Sequence, residues 1–456
     1  MRRILLFLLA LVCSLSVSQV VPATATAPAP APALASAEVR VQHSVRSAAP
    51  LSCWLSSKPT CRLSNAITFN SAYGSKADKF RIVNKIVGAI KRTPRGALIQ
   101  IMSWNLMSRG AVTALLEAQR RGVKIYVLMD ATNQSREVPN PHFARLLTGL
   151  KRYNKVLPSA KRSYAKKCQG ACRRGNSASA HAKFFLFSQV GASKNVVIQG
   201  SANLTQASAG NQWNDIYTYV DKPGLYNFAR GIYTQMWQDK AAYPTWRSYV
   251  APTYELHFSP RIANPYDAHP ATPKDPLLET LKKVECKDPT NTWTGRTVIR
   301  SAPDVIRGAW GDDVAVWLKR LWDQGCDIKM GYTILGASTG AILKRKSGRG
   351  PMPVRQLAAD VDGDKVLDKY FHLKAWTING MIDGKRSYWM MNGSSNISDL
   401  SRVSDENIGI FKWSTPVLAY QRHIDYWFRN PPRSRAVVPS LVPKNLDPYA
   451  NMEKDY

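Results

Sequence analysis

The spacing of apolar residues in the first half of the chain alternates between a helical period and the continuous runs of buried strands. Val112, Leu115 and Leu116 occupy positions i, i+3 and i+4, which places them on one face of a helix. Gly122 ends this pattern, and the apolar run that follows it predicts a buried strand. The predicted elements are a helix at 78–91, a strand at 97–102, a helix at 111–121, and strands at 123–129 and 216–220.

The second half repeats this order of elements. Val314, Trp317, Leu318 and Leu321 form one apolar helical face, and Gly325 ends the pattern. Repetition of a whole unit indicates a duplicated domain rather than an isolated repeated motif. The predicted elements are a strand at 297–300, a helix at 312–323, and strands at 327–332 and 407–411.

Each half also contains the motif H-x-K followed by G-S-x-N. The residues are 181–183 and 200–203 in the first half, and 372–374 and 393–396 in the second. From the histidine to the glycine the chain advances 19 residues in the first copy and 21 in the second. One such motif has little weight, but two at near-equal spacing indicate a duplicated functional unit.

The alternation of strands and helices predicts an α/β fold with two similar domains, each a mixed β-sheet flanked by helices. We expect an internal pseudo-twofold axis at which the two motifs meet. The turns could instead only stabilise each domain, but buried histidine and lysine side chains are costly for that purpose. The predicted segments are a signal peptide at 1–27, an Ala/Pro-rich linker at 28–50, domains at 51–251 and 285–430, a connector at 252–284 and a C-terminal tail at 431–456.

The N-terminus has the pattern of a secretory signal. Arg2 and Arg3 precede the apolar run 4–12, and A-x-A cleavage options follow. The apolar run is too short for a comfortable membrane span, so we expect a secreted protein, with an uncleaved anchor as the alternative. Of the seven cysteines, six lie outside the predicted signal peptide. An exported chain is expected to form disulfides, although six cysteines permit fifteen pairings. Proximity and elimination suggest the pairs Cys53–Cys61, Cys168–Cys172 and Cys286–Cys326.

The motif residues suit chemistry at phosphorus. In H-x-K on a strand, the two side chains point to the same face. Two facing copies supply one neutral imidazole to attack phosphorus and a second to act as general acid and base, so we expect no metal and no cofactor. The predicted phosphate ligands are Lys183, Asn203, Lys374 and Asn396, supported by the hydroxyl groups of Ser201 and Ser394.

This arrangement resembles the phospholipase D superfamily, whose mark is H-x-K-x4-D followed by G-S-x-N, twice per chain or once per subunit of a dimer. The resemblance covers about residues 66–429. It implies that His181 and His372 are the nucleophile and acid/base pair, with a covalent phosphohistidine, and that the N-terminal copy is commonly the nucleophile. It also implies an acidic residue that orients the opposing histidine; Glu406 fits, and Asp215 is the nearest counterpart in the first half.

The chain departs from the family pattern at two positions. The family aspartate is replaced by Ser188 in the first copy and by Asn379 in the second. That aspartate usually supports the site through hydrogen bonds, so its loss leaves open a catalytically weakened member. Four aspartates between 360 and 368 resemble a calcium loop only in part, and a polar turn is the preferred interpretation.

The formal net charge of +32 implies an anionic partner. Residues 151–174 hold nine basic and no acidic side chains, and 344–355 hold five basic ones. These segments could track phosphates along a cleft, or they could be solvated loops.

Three functions remain open. The preferred one is a secreted, monomeric phosphoric diester hydrolase that acts at a membrane surface. It would convert phosphatidylcholine-like lipids to phosphatidate, with exchange of head groups when an alcohol replaces water. The alternatives are a metal-independent endonuclease and a polyanion-binding protein with weakened catalysis.

Overall fold

Strands and helices alternate along the first half of the described chain. The structure is a computed structural model, and it describes residues 61–174, 178–261 and 275–435. The strands are β1 (Ala66–Phe69), β2 (Leu98–Ser103), β3 (Leu106–Met107), β4 (Lys124–Asp130), β5 (Tyr164–Cys168), β6 (Lys183–Val190), β7 (Ser193–Gly200), β8 (Leu204–Thr205), β9 (Gln212–Trp213) and β10 (Asp215–Tyr219). The helices are α1 (Lys76–Lys79), α2 (Arg81–Arg92), α3 (Arg109–Arg120), α4 (Pro141–Asn154), α5 (Gln206–Gly210) and α6 (Pro223–Gln238).

The remaining described chain continues this alternation. Its strands are β11 (Arg247–Val250), β12 (Tyr254–Phe258), β13 (Val284–Glu285), β14 (Val298–Ala302), β15 (Val305–Ile306), β16 (Asp327–Tyr332), β17 (Ile334–Leu335), β18 (Val354–Gln356), β19 (Ala358–Ala359), β20 (Lys369–Phe371), β21 (Ala375–Ile382), β22 (Lys385–Gly393) and β23 (Asn407–Phe411). Its helices are α7 (Pro276–Leu281), α8 (Gly308–Asp323), α9 (Ala337–Leu343), α10 (Asp399–Val403) and α11 (Ser414–Arg429).

The two large sheets have the same strand order. The first is β1-β10-β7-β6-β2-β4-β5, and the second contains β12-β23-β22-β21-β14-β16-β18, with β11 beside β12 and β13 beside β21. Three strands at one edge of each sheet are parallel: β2-β4-β5 in the first sheet and β14-β16-β18 in the second. The other neighbouring strands in these two orders are antiparallel. The predicted α/β class with mixed sheets is therefore confirmed, whereas the pseudo-twofold axis and the domain boundaries stay predictions.

The hydrophobic core has three main clusters. One packs α2, α3 and α4 against the first sheet, and another packs α7 and α8 against the second. The third lies between the sheets, takes residues from both halves and includes α6 and α11. Within it the Tyr217 and Phe411 rings have centroids 4.5 Å apart. This shared cluster packs the two sheets against each other.

Most predicted elements appear with small shifts of their ends. The helix expected at 78–91 is divided into α1 and α2 at Phe80, and the helix expected at 312–323 begins one turn earlier, at Gly308. The basic segment 151–174 is not merely a loop, because it contains the end of α4 and the edge strand β5. None of the helices in the described ranges has the length and apolarity that a membrane span requires.

Two of the three expected disulfides are present. Cys168 pairs with Cys172, and Cys286 pairs with Cys326, with S–S distances of 2.10 Å and 2.07 Å. Cys53 lies outside the described residues, so its pairing with Cys61 remains a prediction. The predicted signal peptide, the linker and most of the C-terminal tail also lie outside the described residues.

Replacing Cys286 and Cys326 with alanine should lower the free energy of unfolding by about 4 kcal/mol, because this disulfide closes a long loop in the unfolded chain. Its sequence separation is 40 residues, whereas that of Cys168–Cys172 is 4. Removing the short disulfide should therefore cost about half as much in the chain-entropy account. Urea unfolding of both double variants checks this order, and equal losses would contradict it.

Candidate active site

The two H-x-K motifs stand at the starts of equivalent central strands. His181 and Lys183 lead into β6, and His372 and Lys374 lead into β21. The exposed fractions of these four residues are 2%, 0%, 0% and 1% respectively. Burial removes bulk water from the site, so charges inside it interact more strongly than they would at the surface.

His181 is held by a carboxylate from the second half of the chain. Its Nδ1 lies 2.9 Å from Oε1 and 2.8 Å from Oε2 of Glu406. Glu406 is buried, accepts a hydrogen bond from Ser394 Oγ, and donates through its backbone N–H to Ser259 Oγ at 2.7 Å. An ionised carboxylate can only accept hydrogen bonds, so this contact puts the imidazole proton on Nδ1. Nε2 then carries the lone pair of the neutral ring.

His372 is held by an amide from the first half. Its Nδ1 lies 2.8 Å from Oδ1 of Asn214. The Asn214 Nδ2 donates to the Ser208 carbonyl at 3.1 Å, to Ser208 Oγ at 3.0 Å and to Gln212 Oε1 at 2.9 Å. These donations fix the amide so that its oxygen faces His372. Each histidine is thus oriented by a residue from the opposite half of the chain: His181 by a carboxylate and His372 by a neutral amide.

Asn214 occupies the place in the first half that Glu406 occupies in the second. Ser201 Oγ donates to Asn214 Oδ1 at 2.9 Å, just as Ser394 Oγ donates to Glu406. From the serine to the orienting residue the chain advances 13 residues in the first half and 12 in the second. This one-residue difference makes the equivalence hard to recognise in the sequence.

The expectation that Asp215 orients His372 is therefore wrong. Asp215 begins β10, and its Oδ2 accepts hydrogen bonds from Asn392 Nδ2 and Tyr420 Oη. Burial raises the pKa of the Asp215 carboxyl, although these hydrogen bonds oppose the shift. Burial likewise raises the pKa of Tyr420 well above its usual value. Asp215 contributes to the contact between the two halves, not to the orientation of the imidazole.

The two lysines of the motifs have different surroundings. Lys183 Nζ donates to the His181 carbonyl at 2.8 Å and lies 5.7 Å from the Trp104 ring centroid. Lys374 Nζ lies 2.9 Å from Oδ2 of Asp304, a fully buried carboxylate that also approaches His372 Nε2 at 3.7 Å. No sequence pattern selects Asp304, because it belongs to neither motif.

The G-S-x-N turns sit where the two halves approach each other. A Cβ on Gly200 would overlap the Asp215 carbonyl oxygen, and one on Gly393 would overlap that of Asn407, so both positions require glycine. Asn203 precedes β8 and Asn396 precedes Ile397, and both asparagines are buried. β8 pairs with β3, and Ile397 forms a bridge with Ile306 of β15, so the two turns are anchored in the same way.

Residues 86–237 match the family model described as "Cardiolipin synthase, PLD-like domain". The match includes the whole first motif, and the second half of the chain repeats both the motif and the strand order outside the matched range. Residues 86–237 are thus similar to a phospholipase D-like domain. The comparison with curated proteins gave no match.

Several solved structures are similar to this phospholipase D-like chain. Phosphatidylserine synthase from Haemophilus influenzae Rd KW20 matches with a TM-score of 0.49 and 12% identity over 80% of this chain and 86% of that one. Polyphosphate kinase from Porphyromonas gingivalis matches with a TM-score of 0.48 and 11% identity over 80% of this chain, which spans 50% of the kinase. Nuc from Salmonella typhimurium, a phospholipase D family member, matches with a TM-score of 0.28 and 16% identity over 39% of this chain and 95% of its own.

The two departures from the phospholipase D pattern lie away from the lysines. Ser188 and Asn379 are five residues along their strands from Lys183 and Lys374, a distance of about 17 Å in an extended strand. Ser188 Oγ accepts the backbone N–H of Leu98 at 2.9 Å, and Asn379 Oδ1 accepts from Asn291 Nδ2 at 2.8 Å. Both side chains therefore hold neighbouring chain segments, and their contacts favour a structural role.

The basic segments 151–174 and 344–355 of this phospholipase D-like chain contain both exposed side chains and side chains that hold neighbouring parts of the structure together. Lys151, Arg152 and Lys155 are exposed. Arg173 is buried, and its guanidinium donates to the carbonyl groups of Ser259 and Pro244 at 2.9 Å and 3.2 Å. Its backbone N–H donates to Asp405, and burial raises the pKa of that carboxyl to about 7 against the pull of the Arg173 charge. In the second segment, Arg349 lies 3.6 Å from the Trp322 ring centroid.

Two groups of side chains in the described ranges have the spacing of metal ligands. One contains Cys168, Cys172 and Asp239, whose cysteines form a disulfide. The other contains Asp360, Asp362 and Asp368, and Asp360 accepts the backbone N–H groups of Gly363 at 2.6 Å and Lys365 at 2.9 Å. The aspartate contacts are those of a polar turn.

Proposed function

We propose that this protein cleaves phosphodiesters in two displacement steps, with His181 as the nucleophile and His372 as general acid and base. Nε2 of His181 attacks phosphorus, the bond from phosphorus to the leaving oxygen breaks, and protonated His372 donates its proton to that oxygen. Water then loses a proton to His372 as its oxygen attacks phosphorus, and the phosphorus–nitrogen bond breaks. Both histidines return to their starting states.

The observation that carries the assignment is the difference between Glu406 and Asn214. When Nε2 of His181 bonds to phosphorus while Nδ1 keeps its proton, the ring becomes a cation. The Glu406 carboxylate at 2.8 Å stabilises that cation, whereas the neutral Asn214 amide at His372 supplies no charge. The nucleophilic role therefore belongs to the histidine whose Nδ1 contacts a carboxylate.

The other motif residues are proposed to hold the phosphoryl group. Lys183 and Lys374 would neutralise its non-bridging oxygens, and the amides of Asn203 and Asn396 would donate hydrogen bonds to them. These four residues are all buried, so their interactions with a bound phosphoryl group would be little weakened by water.

We propose a phospholipid as the substrate, with hydrolysis of its head group or transfer to an alcohol. The family description over residues 86–237 names a cardiolipin synthase, and a small head group suits a site whose catalytic side chains are at most 2% exposed. Disulfides are typical of exported proteins, and both motifs stand in one chain, which supports a secreted monomer. A nuclease is the second candidate, favoured by the net charge of +32 and by the exposed lysines and arginine at the end of α4.

The substrate can be tested by incubating the protein in EDTA with phosphatidylcholine vesicles that contain anionic lipid, and in parallel with plasmid and single-stranded DNA. We expect release of choline, and release of phosphatidylethanol when ethanol is added. DNA cleavage without choline release would reject the lipid substrate and support the nuclease. His181→Ala must abolish the observed activity, because otherwise the activity belongs to a contaminant or to another site.

A further inference from the structure

A buried acid stands beside the reactive nitrogen of one catalytic histidine. Asp304 Oδ2 lies 2.9 Å from Lys374 Nζ and 3.7 Å from His372 Nε2. A substrate would have to bring a non-bridging phosphoryl oxygen to Lys374 Nζ and its leaving oxygen to His372 Nε2, the same two nitrogens. The Asp304 carboxylate therefore stands where it competes with, or repels, an anionic oxygen of the substrate.

The first half of the chain has no acid at the corresponding place. Asp304 immediately precedes β15, and Asn105 immediately precedes β3. β3 pairs with the strand that follows Asn203, and β15 bridges to Ile397, which follows Asn396. Asn105 is a neutral amide whose Oδ1 lies 3.4 Å from Asn140 Nδ2. Lys374 is consequently paired to a carboxylate, whereas the position in the first half that corresponds to Asp304 holds a neutral amide.

Asp304 also changes the total charge of the cradle. Lys183 and Lys374 contribute two positive charges, and Glu406 and Asp304 contribute two negative ones. Asp304 therefore lowers the positive charge that faces a bound phosphoryl group by one unit. Without its charge the cradle would attract a phosphomonoester dianion more strongly, relative to a phosphodiester monoanion.

We propose that Asp304 sets the charge selectivity of the site, so that it accepts a monoanionic phosphodiester and disfavours dianionic phosphomonoesters. This inference rests on the proposed function, because it assumes that the two lysines bind phosphate. Hydrolysis of a phosphodiester makes a monoester that acquires a second negative charge as its proton leaves. Repulsion by Asp304 then favours release of that product and limits its inhibition of the enzyme.

The test measures the equilibrium binding of two small anions by calorimetry, in mildly alkaline buffer with EDTA. Diethyl phosphate represents the monoanionic diester and inorganic phosphate represents the dianion. Asp304→Asn keeps an oxygen that can accept from Lys374 but removes the charge. We expect the variant to shift the ratio of the two dissociation constants towards inorganic phosphate by about tenfold or more. Product inhibition by phosphatidate should strengthen in parallel.

The matched control is Glu117→Gln on the exposed face of α3, which changes the net charge of the protein equally and should leave the ratio unchanged. Asp304→Ser serves the same purpose if Asp304→Asn does not fold, as judged by thermal melting. Binding of both anions with the same ratio in wild type and the Asp304 variant would overturn this inference and leave the proposed function standing. If neither anion bound saturably to the wild type or to any variant, both this inference and the proposed function would be overturned.

Discussion

His372→Ala should turn the protein into an enzyme that reacts once and then stops. With a 4-nitrophenyl phosphodiester, the leaving group needs no proton from a general acid, so attack by His181 should still occur. The second step lacks the base that activates water and should slow by about 10²-fold or more. We expect a burst of about one equivalent of 4-nitrophenol per protein chain, followed by very slow release. Stopped-flow absorbance measures the burst.

The covalent intermediate should be visible in the same variant. Rapid quenching at alkaline pH and intact-mass measurement should show one added phosphoryl group that still carries the second ester group of the substrate, and peptide mapping should place it on His181. His181→Ala should give neither burst nor adduct. His142→Ala, which alters a histidine of α4 outside the site, should behave like wild type. An adduct on His372 in the His181 variant would reverse the assignment of the two roles.

The paired motifs could be recognised in the sequence because their chemistry is local. The histidine and lysine of each motif are two residues apart at the entrance to a central strand, and a glycine-serine turn follows after a hairpin of nearly fixed length. Asn214 could not be identified in this way. Asn214 is an amide rather than the acid that the family pattern implies, and it lies one residue farther from its serine than Glu406 does, so the pattern points to the neighbouring Asp215 instead.

Asp304 was missed for a different reason. It lies 68 residues before His372 in the sequence and meets the site only through the pairing of β14 with β21 and of β15 with the end of the second turn. The same contrast between local patterns and long-range contacts applies to the fold. The apolar patterns predicted the helices and strands of each half, whereas the shared cluster between the sheets depends on contacts between residues about 200 positions apart, such as Tyr217 and Phe411.

Glu406→Gln should lower kcat by about 10²- to 10³-fold with little change in KM. Glutamine can still accept the hydrogen bond from His181 Nδ1, so the ring should keep its orientation while the negative charge that stabilises the phosphohistidine cation is lost. The loss should fall on the first step, and the burst of 4-nitrophenol should become slow in a Glu406→Gln, His372→Ala double variant. A carboxylate that only positions the ring would leave the rate of that burst nearly unchanged.

The chain offers a matched control in a second histidine–glutamate pair. Glu255 Oε2 lies 2.7 Å from His257 Nε2. Burial raises the pKa of Glu255, but hydrogen bonds from His257 and Lys412 outweigh that effect and lower the pKa to about 2. Glu255→Gln should therefore reduce stability near neutral pH, where the carboxylate is ionised, without slowing the burst. If both glutamine variants lose stability but neither slows phosphorylation, the Glu406 charge has no catalytic role and the assignment of His181 as nucleophile loses its main support.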